Sequence, residues 1–306
     1  MTHDDGRRRA ITSLAALACA AALPRTSRAM TGVWLERPIP ATGEKLPAIG
    51  MGTWLTFDVA PGAAREARLA VLQEFFARGG TVLDSSPMYG YAEAALGELV
   101  PKAKPAQVFS ATKVWTPTRI LGVKQMEESI ARWGVKRFDL MQVHNMLDWE
   151  THLVTLKQWK AAGRIRHIGI TTSHGRRHDA LEAAMKRERF DFVQFSYSFA
   201  DLDVEKRLLP LAADRGAAVI VNRPFDGGEL FGAVKGKPLP AWARDIGCAN
   251  WAQVFLKFVV SHPAVTCAIP ATTNPAHMRE NMGALLGPMP DAALRRRMTD
   301  DVGKLL

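Results

Sequence analysis

Three cysteines in 306 residues are too few for a disulfide framework. Cys248 and Cys267 lack metal-ligand spacing, so a zinc-stapled fold is excluded. The expectation is two buried thiols, a bridge in an oxidising compartment being the alternative. Long apolar runs are also missing. Ile11 to Leu23 is an apolar stretch of 13 residues, short of the roughly 20 that span a bilayer as a helix, so stable membrane insertion is not expected. The third glycine of a Gly-x-Gly-x-x-Gly turn is absent from Gly50-Met51-Gly52-Thr53-Trp54, which argues against an open dinucleotide-binding sheet. No repeat or low-complexity linker divides the chain. The net charge of +10 is dispersed. Apart from Arg7-Arg8-Arg9, the tight basic cluster is Arg295-Arg296-Arg297, expected to be a solvated helix face. Without aromatic-basic interleaving, nucleic acid is not an expected partner.

What is present begins with a leader. A polar start ending in Arg7-Arg8-Arg9 precedes the apolar run, and Ser27-Arg28-Ala29 supplies small residues where a signal peptidase reads. Residues 1–29 are therefore expected to be a signal peptide. Arg8-Arg9-Ala10-Ile11 resembles the twin-arginine export signal. That resemblance implies the twin-arginine translocase as a partner, export of a folded protein, and a periplasmic or exported location.

From residue 30 onward the composition is ordinary for a globular protein, with 47% hydrophobic and 23% charged residues over the whole chain. Short apolar runs alternate with amphipathic stretches, the pattern of βα units and a parallel sheet. Eight strands are expected: Ala48–Thr53, Thr81–Asp84, Val108–Lys113, Leu140–His144, His167–Thr172, Phe192–Phe195, Ala218–Asn222 and Thr266–Pro270. Helices are expected over Gly62–Ala77, Gly122–Trp133, Trp149–Ala162 and Trp251–His262. Another starts at Asn274-Pro275, an N-cap followed by proline. Eight such units in this length predict one α/β domain, 30–306, a (β/α)8 TIM barrel. Val33–Leu46, with a Thr42-Gly43 turn, reads as a hairpin plugging one end.

Active sites of such barrels lie at the C-terminal ends of the strands. The residues there are Asp84, Lys113 and His144, with Tyr89 in the loop after Asp84. Gly80-Thr81-Val82-Leu83-Asp84-Ser85-Ser86-Pro87-Met88-Tyr89-Gly90 resembles the signature loop of the aldo-keto reductases. Ala111-Thr112-Lys113, Gln142-Val143-His144-Asn145 and Gly163–Ile170 are similar to the segments that follow in that family, and the likeness covers Ala48–Asn281 in order. The resemblance implies reduction of an aldehyde or ketone to an alcohol with hydride from a nicotinamide cofactor. Each residue type suits that chemistry. Tyr89 can donate the proton. The Lys113 ammonium should lower the phenol's pKa. Asp84 should keep Lys113 charged and oriented, and His144 should hydrogen-bond the substrate oxygen.

The same resemblance places the cofactor. It implies contacts from Thr53, Trp54 and Asp84, with Gln194 on the carboxamide. Thr171-Thr172-Ser173 stands where the family usually has Ser-Asn, so a hydroxyl replaces part of that grip. Asn222-Arg223-Pro224 stands where an aromatic ring often stacks on the nicotinamide, and Arg223 could stack instead. Gly227, Gly228 and Leu230 resemble the loop over the pyrophosphate. In the last unit Ala271 and His277 occupy positions that are cationic in NADPH-preferring members. Thr272 and Thr273 could bind phosphate at a helix N-terminus, and Asn281 matches the adenine reader. NADP(H) is favoured, with NAD(H) the alternative. Trp54, Trp115 and Asn145 should line the substrate pocket. The competing reading is a cofactor-binding regulatory or partner subunit with little turnover.

Overall fold

The computed structural model describes residues 34–306. The leader, its export signal and its cleavage site lie outside the described residues. Ten strands are defined: β1 (Glu36–Pro38), β2 (Lys45–Pro47), β3 (Met51–Gly52), β4 (Val82–Asp84), β5 (Phe109–Val114), β6 (Phe138–Val143), β7 (Ile165–Thr171), β8 (Phe192–Ser196), β9 (Ala218–Asn222) and β10 (Cys267–Ala268). β3 to β10 pair in chain order, each parallel to the next. A parallel bridge between Ile49 and Ala268 brings the two edges together. Gly50 N–H donates to the Ala268 carbonyl at 2.8 Å, and Ala268 N–H to that of Ala48 at 2.9 Å. The eight parallel strands form a (β/α)8 barrel.

The expected strands over 48–53 and 266–270 shrink to two residues each. Pro270 has no N–H with which to continue the ladder, although its carbonyl still accepts from Gly52 N–H at 3.1 Å. The sheet also comes very close at the seam. A Cβ on Gly52 would stand 2.8 Å from the Ile269 carbonyl oxygen, so only glycine lets the strands meet there.

Helices follow the strands at Ala63–Ala77, Ala92–Ala103, Arg119–Trp133, Trp149–Ala161, His178–Arg187, Leu208–Arg215, Trp251–Val260 and Pro275–Gly283. Asn274 caps the last of these, its side chain accepting from Ala276 N–H at 2.9 Å. The Ala92–Ala103 and Arg119–Trp133 helices meet at Gly97, where a Cβ would lie 2.0 Å from the Arg132 carbonyl oxygen.

The hairpin plugs the barrel as expected. β1 and β2 are antiparallel, Arg37 opposite Leu46, and Gly43 turns between them with φ 74°. Ile39 and Leu46 are fully buried and join Val82, Phe109, Leu140, Phe192 and Ile220 in the barrel's inner apolar cluster. Burying each such side chain stabilises the fold by about 1.5–3 kcal/mol. The remaining core lies between sheet and helices.

The basic cluster near the C-terminus corrects one expectation. Arg296 and Arg297 are exposed, but Arg295 turns inward from the Ala292–Gly303 helix. It donates to the Tyr197 hydroxyl at 2.6 Å, the Ser261 hydroxyl at 2.6 Å, a Glu205 oxygen at 2.7 Å and the Phe258 carbonyl. The cluster is thus an anchor on one side and a solvated face on the other. Cys248 and Cys267 are both buried and unpaired, as expected.

Candidate active site

Strand geometry decides which polar side chains reach the barrel mouth. Asp84 ends β4 opposite Ala111, and Lys113, two residues further along β5, is the penultimate residue of that strand, so both side chains reach the barrel mouth. Their side chains are almost wholly buried and form an ion pair. The Lys113 ammonium also donates to the Ser85 carbonyl at 2.7 Å. The second Asp84 oxygen accepts from the Gln142 amide at 2.9 Å and the Gln194 amide at 3.1 Å. A buried carboxylate is tolerable only when charge-paired and hydrogen-bonded in this way.

Above the pair stand Tyr89 and His144. The Lys113 nitrogen lies 5.1 Å from the centre of the Tyr89 ring. Tyr89 and His144 meet edge to face with ring centres 5.6 Å apart. The Ser86 hydroxyl sits 2.9 Å from His144 Nδ1 and fixes the ring. His144 Nε2 has no hydrogen-bond partner among the described residues. Burial and the nearby Lys113 ammonium push the His144 pKa down to about 2, so the imidazole is neutral. Burial alone would lower the pKa of Lys113, but Asp84 and Tyr89 outweigh it and the net shift is upward. The ammonium is therefore kept.

Tyr89 departs from expectation. Lys113 does pull its pKa down, but burial pushes harder in the opposite direction and Asp84 adds to it, so the net shift is upward. The sequence names the charges around a phenol but not the thickness of low-dielectric wall around it.

These groups open into a cavity of about 380 Å³. Of the expected site residues, Thr53, Trp54, Asp84, Tyr89, His144, Asn145, Thr171, Thr172, Gln194, Asn222, Arg223, Pro224, Gly227 and Gly228 all line it. Lys113 stands behind the wall. Trp115 lies outside the lining, yet its ring centre is 6.4 Å from that of His144. Leu230 is buried beneath the loop that carries Gly227 and Gly228. Thr272, Thr273, His277 and Asn281 are not in the cavity; they lie at the start of the Pro275–Gly283 helix and along it, Thr272 and Asn281 buried, Thr273 and His277 exposed. Thr272 Oγ1 accepts from Asn274 N–H at 3.1 Å. Arg279 points away and pairs with Glu74 at 2.9 Å.

Several contributors carried no assigned role in the sequence. Ser86 and Gln142 lie inside recognisable motifs, but their work is to orient His144 and Asp84, which only the contacts reveal. Phe225 and Phe231 also line the cavity, with ring centres 4.9 Å apart. Phe225 lies three residues past the end of β9, so aromatic surface is present, displaced from the position where a ring was sought. Arg223, at φ 50°, donates to Asp226 at 3.1 Å and lies 3.0 Å from His174 Nε2.

A parallel eight-stranded barrel whose strand ends gather an Asp–Lys pair, a tyrosine and a neutral histidine around one mouth defines an oxidoreductase-type site. The aldo/keto reductase family matches residues 48–296, and the chain belongs to that family. Its class is the NAD(P)H-dependent reduction of carbonyls. An Escherichia coli (strain K12) protein, NADH-specific methylglyoxal reductase, is 26% identical over 245 residues, covering 68% of this chain and 72% of its own. Pyridoxal 4-dehydrogenase from Microbacterium luteolum is 24% identical, covering 81% and 92%. Among solved structures, an aldo-keto reductase from Klebsiella pneumoniae in complex with NADPH superposes with TM-score 0.71 at 24% identity, covering 85% of this chain and 92% of its own.

Proposed function

We propose that the chain reduces a small aldehyde or ketone to its alcohol, with Tyr89 donating the proton. The observation that carries this is the buried Asp84–Lys113 pair directly behind Tyr89, with neutral His144 beside it. A neutral imidazole can donate a hydrogen bond to the carbonyl oxygen and fix its angle. As negative charge develops on that oxygen, Tyr89 transfers its proton, and the buried ammonium stabilises the phenolate left behind. Ser86 and Gln142 hold His144 and Asp84 in place. A nicotinamide dinucleotide supplies the hydride that becomes the new C–H bond.

The residues present fit such a group. Thr172 Oγ1 and Arg223 Nε are buried polar atoms without protein partners on the cavity wall. Gly227 and Gly228 have φ 71° and 109°; the Arg223 guanidinium lies against Gly227, while nothing lies within 4 Å of a Cβ built on Gly228. Gln194, Asn222, Thr171 and Thr172 would hold the carboxamide, Arg223 and Pro224 the ring face, and Gly227 and Gly228 the pyrophosphate. NADP(H) is favoured over NAD(H), with Thr272 and Thr273 at the helix start meeting the extra phosphate and Asn281 the adenine. The ion pair of Arg279 with Glu74 leaves those hydroxyls to do this without it. Trp54, Trp115 and Asn145 would border the substrate.

The test is Tyr89→Phe in the chain from Met30 on, with NADPH and NADH titrated separately by protein fluorescence. Turnover should fall by at least about 10²-fold while nucleotide binding is retained. A Phe variant with full turnover would remove Tyr89 from the chemistry. No binding of either nucleotide would sink the reductase reading. The competing reading, a binding subunit with little turnover, gives no reason to bury an ion pair behind a tyrosine.

Residues 1–29 are proposed to direct export through the twin-arginine translocase to the periplasm. Replacing Arg8 and Arg9 together by lysine should leave the protein in the cytoplasmic fraction at its full length; unchanged fractionation would refute the export proposal.

A further inference from the structure

A second cavity, of about 160 Å³, adjoins the first. It is lined by Asn145, Thr172, Ser173, Arg176 and Arg177 and by no apolar side chain. Asn145, Thr172 and Ser173 line both cavities, and Asn145 directly follows His144 in the chain. A pocket placed this way is reached by the far end of a molecule whose carbonyl stands at His144 and Tyr89.

Its chemistry is cationic. Among the described residues, neither Arg176 nor Arg177 forms an ion pair with a carboxylate. Arg177 spends one guanidinium nitrogen on the Asn145 carbonyl at 3.1 Å, which holds the group at the pocket's edge. The Arg176 side chain has no hydrogen-bond partner among the described residues. Among the acids near the loop, Asp226 pairs with Arg223 at 3.1 Å, Asp148 accepts from Thr118 N–H at 2.9 Å and Glu150 pairs with Arg187, while Asp201, beside Gly175, forms no ion pair with either arginine. The Ser173 hydroxyl lies 2.9 Å from His174 Nδ1 and 3.4 Å from Asn145 Oδ1. The wall is completed by Thr172. The loop is tightly turned, with left-handed backbone at His174 and Arg177, φ 61° and 59°. Such conformations are costly for residues other than glycine and persist where surrounding structure imposes them.

We propose that this pocket binds a carboxylate on the substrate, so that the preferred substrates are short-chain aldehydes or ketones bearing a terminal carboxylate. Two guanidinium groups with a hydroxyl and an amide at hand match the planar, multiply accepting geometry of a carboxylate. A purely aliphatic tail would strand those donors without partners. The carboxylate anchors one end of the substrate and sets the carbonyl at the tyrosine. The proposal rests on the reductase reading for its catalytic half only; binding of the carboxylate does not depend on turnover.

Two measurements separate the two. The first is binding of succinate, which bears the anion and has no reducible carbonyl, followed by protein fluorescence in the wild type and in Arg176→Met. The wild type should bind, and the variant should bind about tenfold more weakly or worse, as expected when a charge-assisted hydrogen bond is lost. The second compares succinic semialdehyde with butanal under saturating nucleotide. Wild type should prefer the carboxylated aldehyde, and Arg176→Met should raise its KM about tenfold while leaving kcat/KM for butanal unchanged. Arg177→Met should act in the same direction, and a thermal melt identifies any variant that fails to fold. Succinate that does not bind, or binds both proteins equally, overturns the proposal whatever the enzyme reduces. Equal preference for the two aldehydes in the wild type overturns it as well. Absence of turnover with succinate binding that still depends on Arg176 would leave the pocket standing and overturn the reductase reading instead.

Discussion

At the residue scale, the site depends on one buried charge pair. Asp84 balances Lys113 in a region that solvent does not reach. Asp84→Asn would keep the shape and remove the balance. Leaving a buried ammonium unpaired should cost about 3–5 kcal/mol, read as a lower denaturant midpoint, with turnover falling alongside. A variant as stable as the wild type would mean that the pair is not what keeps Lys113 in place. His144 gives a pH prediction with a definite sign. In the unfolded chain it titrates near about 6.5, and in the fold its pKa is about 2. Between those values the unfolded state binds the extra proton, so the stability contributed by neutral His144 is present above about 6.5 and is lost as pH falls towards 2. His144→Asn should therefore lose less stability than the wild type between about pH 7 and 4, measured by denaturant titration. Identical acid limbs in both proteins would contradict the assignment. Buried His167, the partly buried His262 and the more exposed His174 are shifted in the same direction, and together with lowered carboxylates such as Glu74 they contribute to the slope that remains.

At the scale of elements, close approach rather than propensity fixes how helices sit on the barrel. The Ala92–Ala103 helix carries Gly97 against the Arg132 carbonyl, where a Cβ would lie at 2.0 Å. Gly97→Ala improves intrinsic helix propensity by roughly 1 kcal/mol, but the methyl must displace backbone. The net effect should be destabilising by about 1–3 kcal/mol, seen in thermal or denaturant unfolding. A more stable variant would show that the two helices can move apart freely. This position also shows the limit of reading one sequence. A glycine inside a helical pattern weakens the expectation of a helix, and its packing reason becomes visible only when the neighbouring helix is in place. The two-residue strands at the seam are similar: the apolar runs 48–53 and 266–270 are plain in the sequence, while the shortening there follows from Pro270 and from the close approach of Gly52 to the Ile269 carbonyl.

At the scale of the whole molecule, the barrel is closed below by the hairpin and tied at its side by the C-terminal helix. Arg295 joins that helix to Tyr197, Glu205, Ser261 and Phe258. Arg295→Met would leave the Glu205 carboxylate and the Tyr197 hydroxyl without their cationic partner. A loss of about 2–4 kcal/mol is expected, together with faster proteolysis of the last dozen or so residues, read by limited digestion and mass analysis. An unchanged digestion pattern would show the helix to be held by its apolar face alone.

By itself the sequence determined the alternation of strand and helix, the plug, and which residues end the strands, because periodicity and turn chemistry are local. It therefore brought Asp84, Tyr89, Lys113 and His144 into view as a group. Tertiary structure decided what depends on distance through space. Burial of Tyr89 outweighs the pull of Lys113 because desolvation belongs to the whole mouth of the barrel. Arg279 turns to Glu74 and Arg295 turns inward because a partner far along the chain lies within reach. Thr272, Thr273, His277 and Asn281 stand apart from the central cavity because the helix they adjoin lies at its edge.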